Sequence, residues 1–224
     1  MNQDVVITDR EDSFFKVKKF FYLFIKRLFD IFISIFGLIL LLPVSIIVKI
    51  SYLLNGDFHS IFYYHNRIGK NGKLFKLYKF RSMVYNADEV LDRILNENEL
   101  LREEYNTNKK FKNDPRITKV GKILRKSSLD ELPQFINVFL GDMSLIGNRP
   151  YLPREKKDMG NYYDSIVSTK PGLTGYWQVH GRSDVSFKRR LELEKYYSEN
   201  CNLLLDIGIF FKTFKVVLFG RGAK

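Results

Sequence analysis

Two adjacent carboxylates, Asp130 and Glu131, follow a basic run in the segment RKSSLDELPQFINVFLGD, residues 125–142. Apolar residues then recur every three or four positions up to Gly141, which predicts a short helix that begins near the acids. Pro133 falls in its first turn, where the missing N–H costs nothing. The acids have two interpretations: they cap the helix and complement its dipole, or they carry chemistry.

The chemistry that this pattern suits is phosphoryl transfer. A helix N-terminus and the neighbouring Arg125 and Lys126 should keep Asp130 ionised, as a carboxylate nucleophile requires. Asp130 and Glu131 also suit Mg²⁺, which in proteins often takes one or two carboxylates together with substrate phosphates. Arg149, in the loop GNRP that follows the same helix, can bind phosphate oxygens with two donors at once.

The composition narrows the class of partner. The 224 residues hold 37 Lys and Arg against 25 Asp and Glu, so the partners are expected to be anionic: nucleic acid, acidic lipid or a phosphorylated ligand. A single cysteine, Cys201, excludes an intrachain disulfide and suits a reducing compartment. The three histidines stand at unrelated spacings, which excludes a Cys/His metal cluster.

One stretch, residues 31–48, contains eighteen residues without a charge. As a helix it would be about 27 Å long, close to the roughly 30 Å hydrocarbon core of a bilayer. Lysines and arginines crowd both flanks, and the positive-inside rule would hold both in the cytoplasm. Pro43 lies inside the run and should bend it. The pattern favours a helix that enters the membrane, breaks near Pro43 and returns; a spanning helix and a buried core helix are the alternatives.

The remaining patterns predict a mixed α/β fold that is mainly helical. Residues 61–83 form two strands around an Asn71-Gly72 turn, that is, a β-hairpin. Residues 203–219 are apolar but carry Asp206, Lys212 and Lys215, which suits an amphipathic helix in the membrane interface or a core helix equally. The predicted divisions are an N-terminal extension (1–25), a re-entrant membrane helix (26–54) and a cytosolic catalytic domain with membrane-interface helices (55–224).

At these motifs the sequence resembles the bacterial sugar transferase family, small membrane-associated polyprenyl-phosphate phosphoglycosyl transferases with one membrane-inserted helix. The matching segments run in order from Lys26 onwards: KRLFDIFIS, KFRSM, NDPRITKVGKILRKSSLDELPQ, NVFLGDMSLIGNRPYLP and PGLTGYWQVHGRSD. The resemblance implies transfer of a sugar-1-phosphate from a UDP-sugar to undecaprenyl phosphate, with UMP as the by-product, at the cytoplasmic face of the bacterial inner membrane. Such a step begins the synthesis of capsule, O-antigen or exopolysaccharide.

The resemblance also assigns residues. Asp130 would be the nucleophile that forms an aspartyl phosphosugar, and Mg²⁺ would lie at Asp130 and Glu131. Four basic residues would contact substrate phosphates: Arg125, Arg149, Lys79 and Arg81. Four residues would belong to the membrane-inserted helix: Lys26, Arg27, Asp30 and Pro43. Four would form the nucleotide-sugar loop: Pro150, Gln178, Gly181 and Arg182.

Two positions depart from the family pattern. Leu42 precedes Pro43 where the family often has serine, so Ser45 is expected to bond the backbone that Pro43 frees. Asn148 stands where a Pro-Arg-Pro motif has its first proline, which bears on the rigidity of the loop that carries Arg149.

The competing hypothesis is a non-catalytic, membrane-anchored basic protein that binds anionic lipid or nucleic acid. The acid pair inside a basic region argues against nucleic acid, and no nucleic-acid motif is recognisable. The transferred sugar is open among galactose, glucose and N-acetylated or deoxy sugars, although HGRSDVSF favours the galactose/glucose branch. The oligomeric state, monomer or homodimer, is open too.

Overall fold

The computed structural model describes residues 3–108, 111–181 and 185–218, with side chains for 17–105, 111–181 and 185–215. The chain is mainly helical, with two small two-stranded sheets. It divides into two compact units: unit 1 comprises Met1–Gly37, Asn66–Leu77 and Phe135–Lys224, and unit 2 comprises Leu38–His65 and Tyr78–Gln134. The predicted fold class, mainly helical with a β-hairpin, is confirmed.

The elements follow one another in short steps. The helices are α1 (Gln3–Leu54), α2 (Ala87–Glu97), α3 (Glu99–Asn108), α4 (Lys119–Lys126), α5 (Gln134–Leu140), α6 (Lys156–Met159), α7 (Tyr163–Val167), α8 (Tyr176–His180), α9 (Phe187–Asn200) and α10 (Leu203–Leu218). The strands are β1 (Phe62–Ile68), β2 (Leu74–Phe80), β3 (Ser144–Ile146) and β4 (Gly172–Thr174).

Helix α1 runs without interruption through Pro43. The expected helix break is therefore not a gap in the helix, and the predicted boundary at residue 25 falls inside α1. Ser45 donates its hydroxyl to the carbonyl of Leu41 at 2.7 Å. Pro43 instead deprives the carbonyl of Ile39 of its i+4 donor, so the role expected for Ser45 was wrong.

The faces of α1 differ sharply in character. Its buried residues recur every three, four or seven positions and so form one narrow stripe: Asp30, Ser34, Gly37, Leu41, Val48 and Tyr52. The other faces expose large apolar side chains, for example Phe20, Leu42 and Ile47 at 68%, 70% and 63%. Within the described residues, Val17–Leu54 is the one helix whose length and composition would let it cross a membrane.

The predicted hairpin is present. Strands β1 and β2 pair, and the 3₁₀ turn Lys70–Gly72 joins them. Asn71 and Gly72 take positive φ values of 56° and 77°, the left-handed conformations that an Asn-Gly turn supplies at low cost.

A parallel strand pair that the sequence did not predict lies at the centre of unit 1. Ser144 in β3 is in register with Gly172 in β4, and Ile146 is in register with Thr174. A β-carbon on Gly172 would lie 2.1 Å from the backbone nitrogen of Gly147, so only glycine permits this approach. The pair is packed into an apolar cluster whose most buried members are Leu77, Val138, Met143, Tyr197 and Ile209.

Helix α10 combines the two alternatives that its sequence left open. Ile209 and Asp206 are buried in unit 1, whereas Leu204 and Phe211 are 81% and 66% exposed. One face is therefore core, and the opposite face is an uncovered apolar surface of the kind that suits a membrane interface.

Candidate active site

The two acids predicted to carry chemistry share one lysine. They lie in the 3₁₀ turn Leu129–Glu131, which the left-handed Ser128 (φ 58°) turns away from α4. Lys79, near the end of β2, donates from Nζ to Oε1 of Glu131 at 2.7 Å and lies 3.8 Å from Oδ2 of Asp130. Helix α5 ends before Gly141, as predicted, but it begins at Gln134, after the Pro133 that was expected in its first turn, so the acids lie before the helix.

The pKa of Asp130 depends on its burial as well as on nearby cations. Burial raises the pKa of Asp130, Lys79 lowers it, the neighbouring Glu131 raises it, and Arg125 lowers it by a smaller amount. Burial thus outweighs the nearby cations, and the cation that matters most is Lys79, not Arg125 or Lys126. The Asp130 side chain is 15% exposed, which leaves it accessible to a reactant.

Arg125 lies near the end of α4, and the contacts of α4 with Ser82 fix its position. Thr118 caps α4 by accepting from the N–H of Gly121 at 2.9 Å, and its own N–H donates to the carbonyl of Ser82. A β-carbon on Gly121 would lie 1.8 Å from that Ser82 oxygen, so glycine lets α4 lie directly on the backbone of Ser82. Arg125 then donates from Nε to Oγ of Ser82 at 2.9 Å, which orients its guanidinium.

Arg81, predicted to bind phosphate, is instead largely occupied within unit 2. It is 6% exposed and donates to Asp57 Oδ2 at 2.9 Å and to the carbonyls of Ser60 and Met83. Its guanidinium lies over the Tyr52 ring, and the Tyr52 hydroxyl donates to its carbonyl. Arg81 therefore fastens the end of α1 and the segment after it to the end of β2, and only Nη2 lacks a partner among the described residues.

The three polar residues at the start of the apolar run are engaged with protein in unit 1. Lys26 forms a 2.5 Å ion pair with Asp206 of α10. Arg27 donates to the carbonyls at the end of α5, those of Val138 and Phe139, each at 2.7 Å. Asp30 is 3% exposed and accepts from the Leu145 N–H at 2.8 Å and from the Ser144 hydroxyl at 3.0 Å.

The loop that carries Arg149 is held by hydrogen bonds on both sides, although Asn148 stands where the family motif has a proline. Asn148 is 2% exposed and donates from Nδ2 to the Ser198 hydroxyl at 2.6 Å and to the carbonyl of Ile166 at 3.1 Å. The N–H of Arg149 donates to Glu194 at 3.0 Å, and the carbonyl of Pro150 accepts from Arg67. These hydrogen bonds therefore restrict the backbone of the loop, as the first proline of the family motif would.

The other loop residues proposed for nucleotide-sugar binding have modest contacts. Gln178 Nε2 lies 3.5 Å from the carbonyl of Leu173. Gly181 ends α8, and a β-carbon there would lie 2.6 Å from Val185. Arg182 lies outside the described residues.

The structure thus brings together, in unit 2, Asp130, Glu131, Lys79 and Arg125; Arg149, Pro150, Gln178 and Gly181 belong to unit 1. Sequence reasoning missed Ser82, although it lies in the KFRSM motif, and missed Glu194 entirely. Glu194 is fully buried, and its burial raises its pKa to about 7. No local signal marks it, since it stands in a helix with many charged residues.

The described residues hold no metal site built from protein side chains alone. They contain no group of three or more His, Cys, Asp or Glu side chains that could hold an ion alone. The donor set Asp130 and Glu131 nevertheless fits Mg²⁺ in its usual form, two carboxylates that are completed by water and substrate phosphates. Glu131 is 43% exposed and can turn towards such an ion.

Comparison with known proteins defines the class. The family model of the bacterial sugar transferases matches residues 21–220. The chain therefore belongs to the bacterial sugar transferase family, as its motifs indicated.

Particular relatives can be named. The chain is 48% identical over 200 residues to the undecaprenyl-phosphate galactose phosphotransferase of Salmonella typhimurium, a match that covers 89% of this chain and 42% of that protein. It is 43% identical over 198 residues to the exopolysaccharide production protein ExoY of Sinorhizobium fredii, covering 88% and 87%. It is 39% identical over 210 residues to the galactosyl transferase CpsE of Streptococcus agalactiae, covering 93% and 45%. The chain thus spans less than half of the first and third of these relatives.

Proposed function

We propose that the protein is a phosphoglycosyl transferase that moves a sugar-1-phosphate from a UDP-sugar to undecaprenyl phosphate. The observation that carries the proposal is the placement of Lys79 against both Asp130 and Glu131, with Arg125 held close enough to act on the charge of Asp130. Cations next to the two acids offset the repulsion between an anionic nucleophile and the anionic phosphate that it must approach. The names of the relatives support undecaprenyl phosphate as acceptor and galactose as the sugar to test first.

The reaction proceeds in two displacements at phosphorus. An oxygen of the Asp130 carboxylate bonds to the sugar-bearing phosphorus, and the bond from that phosphorus to the bridging oxygen breaks, so that UMP leaves with the electron pair. A phosphate oxygen of undecaprenyl phosphate then attacks the same phosphorus and releases the Asp130 carboxylate. The product is the polyprenyl-diphosphate sugar.

The residues around Asp130 have distinct tasks in this scheme. Lys79 favours the ionised form of Asp130 and holds Glu131 in place. Arg125, oriented by Ser82, offers its remaining guanidinium donors to phosphate oxygens. When bound by Asp130 and Glu131, Mg²⁺ would offset the charge between the anionic reactants.

We propose further that α1 is re-entrant and that the enzyme acts at the cytoplasmic face of the inner membrane. Within the described residues, α1 is the one helix long and apolar enough to cross a membrane. Basic residues stand on both flanks of its apolar run, Lys26 and Arg27 before it and Lys49 after it, and the positive-inside rule favours the cytoplasm for both flanks. A spanning helix would separate them. Pro43, which removes one backbone hydrogen bond, is the expected point of bending.

The nucleophile is tested with radiolabelled UDP-galactose and purified protein. Without lipid acceptor the wild type should release UMP and retain labelled sugar phosphate on the protein, and with undecaprenyl phosphate the label should pass to lipid. Asp130→Asn should lose both, by about a thousandfold or more in rate. Asp92→Asn, an exposed acid of α2, is the matched control. Normal transfer by Asp130→Asn would refute the assignment.

Topology is tested in a Cys201→Ser background by placing cysteine at Asn2 or at Asn98, between α2 and α3. In intact cells a membrane-impermeant thiol reagent should label neither, and after permeabilisation it should label both. Labelling of the residue 2 cysteine from outside would establish a spanning helix instead.

The sugar is identified by measuring UMP release with a panel of UDP-sugars that includes galactose, glucose and their N-acetylated forms. Failure of every donor, with binding of anionic vesicles retained, would favour the non-catalytic alternative.

A further inference from the structure

Helices α8 and α9 stack an arginine on the only tryptophan of the chain. The guanidinium carbon of Arg190 lies 4.4 Å from the ring centroid of Trp177, which is 9% exposed. Stacking on an aromatic face fixes the plane of a guanidinium and leaves its in-plane N–H groups free to bind. Such a preoriented cation is a feature of anion recognition.

The donors around this stack lack acceptors. Among the described residues, the Nε atoms of Arg190 and Arg149 and the Nε1 atom of Trp177 are buried and have no hydrogen-bond partner. Buried donors are seldom left without an acceptor in a folded protein. An ordered water or a ligand oxygen is what completes such groups.

Glu194 shows that these arginines lie near one another. It stands one turn after Arg190 on α9, it accepts from the backbone N–H of Arg149, and the charges of both arginines lower its pKa. The net effect of burial is nevertheless to raise that pKa to about 7, and its second oxygen already accepts from Tyr151 at 2.6 Å.

Glu194 is nevertheless not ion-paired with either arginine. In the part of the chain that the structure describes, neither Arg149 nor Arg190 has an ion-pair partner within 4.0 Å, and neither side chain donates a hydrogen bond. By contrast Arg189, the neighbour of Arg190, is exposed and pairs with Glu192 at 2.8 Å. Unit 1 thus holds two guanidinium groups without an ion-pair partner beside a carboxyl whose pKa burial raises to about 7.

We propose that Arg190 is a substrate-binding residue that acts with Arg149 on the phosphate groups of the sugar donor, and that Trp177 positions its guanidinium. Two guanidinium groups, each able to bind two oxygens, match the two phosphates of a nucleoside diphosphate better than the single phosphate of a lipid acceptor. The inference rests on the proposed function, because it takes a UDP-sugar as the donor.

The first experiment is UDP binding by the protein in detergent. Calorimetry gives the affinity, and Trp177, as the sole tryptophan, reports occupancy of its own site by fluorescence. Arg190→Gln should weaken UDP binding about tenfold or more, and Arg190→Lys should be intermediate because it keeps the charge but not the planar fork. Arg189→Gln on the same helix should bind as the wild type does.

A second experiment tests whether the arginines bind the phosphates of the sugar donor or the phosphate of the lipid acceptor. The same variants are titrated with farnesyl phosphate in micelles, whose affinity should be unchanged by Arg190→Gln. Loss of farnesyl phosphate binding with normal UDP binding would overturn the assignment to the donor. Absence of UDP binding by the wild type, or equal weakening by Arg189→Gln and Arg190→Gln, would overturn it as well.

Folding and the proposed function are controlled separately. Thermal unfolding of each variant, together with the Arg190→Lys protein, distinguishes loss of the site from loss of the fold. If UDP binds in an Arg190-dependent way but no sugar phosphate reaches lipid, the transferase proposal fails and the binding site stands. If transfer proceeds and Arg190→Gln leaves the KM for UDP-sugar unchanged, the site fails and the transferase stands.

Discussion

Nζ of Lys79 donates to Oε1 of Glu131 at 2.7 Å, so a strand residue holds an acid that lies 52 positions further along the chain. The same ammonium lies 3.8 Å from Asp130 and is the strongest influence that lowers the pKa of that carboxyl. This relationship makes Lys79 the link between the fold of unit 2 and the ionisation of the proposed nucleophile.

Replacing Lys79 by methionine should therefore make Asp130 harder to ionise. Burial already raises the pKa of Asp130, and without Lys79 that pKa should rise further, so the acidic limb of the pH profile should move to higher pH, with a loss of rate on that limb. The measurement is kcat/KM for UMP release from pH 5 to 9. The exposed Lys73 supplies the control Lys73→Met, and an unmoved limb in Lys79→Met would contradict the role.

Gly121→Ala should loosen α4. The new methyl group would meet the Ser82 carbonyl at 1.8 Å, which forces α4 outward and removes the hydrogen bond that orients Arg125. We expect a loss of about 1–3 kcal/mol in the free energy of unfolding and reduced transfer activity. Gly208→Ala in α10 is the control, since its β-carbon would meet nothing within 4 Å and alanine favours a helix. Equal melting temperatures for Gly121→Ala and the wild type would argue against this packing.

Asp30→Ala should destabilise the attachment of α1 within unit 1. It would leave the buried Leu145 N–H and Ser144 hydroxyl without their acceptor, at a cost of about 2–3 kcal/mol. Asp30→Asn keeps an acceptor oxygen and should recover much of that loss. Thermal unfolding in detergent measures both variants. Equal losses of stability would show that Asp30 does not stabilise the protein by accepting these two hydrogen bonds.

Glu194→Gln should change how stability depends on pH. Because burial raises the pKa of Glu194 to about 7 from an ordinary 4.5, the protonated group stabilises the fold fully below about pH 4.5, and this contribution is lost as pH rises to about 7. Glutamine stays neutral across that interval. The free energy of unfolding of the variant should therefore rise relative to that of the wild type, by on the order of 3 kcal/mol above pH 7. Denaturant unfolding at pH 5 and pH 8 tests it, with Glu199→Gln, an exposed acid of the same helix, as control. If the free energies of unfolding of Glu194→Gln and the wild type differ by the same amount at both pH values, the prediction is contradicted.

Local patterns predicted the local elements well. The Asn-Gly turn predicted the β1–β2 hairpin, and the apolar spacing after Pro133 predicted α5 and its end at Gly141. The apolar run predicted a helix over residues 31–48, although α1 extends from Gln3 to Leu54 without the expected break. Each depends on the conformational preferences of neighbouring residues, which the chain carries wherever it folds.

The same patterns were less informative about how deeply a residue is buried and which distant residues it meets. Helix proximity and the basic residues next to Asp130 suggested an acid that ionises easily, but the degree of burial reversed the direction of the pKa shift. The parallel β3–β4 pair was missed because three-residue strands carry almost no periodic signal and parallel pairing joins distant segments.

By itself, then, the sequence determined the family, the adjacent acids, the apolar helix and the excess of positive charge, because these are properties of residue order. Only the tertiary structure decided that Lys79 serves the two acids, that Arg81 and Lys26 are tied to protein, and that Arg190 lies on Trp177. Those relationships join residues between 13 and 180 positions apart, and the path of the folded chain, with the burial that follows from it, determines which of them meet.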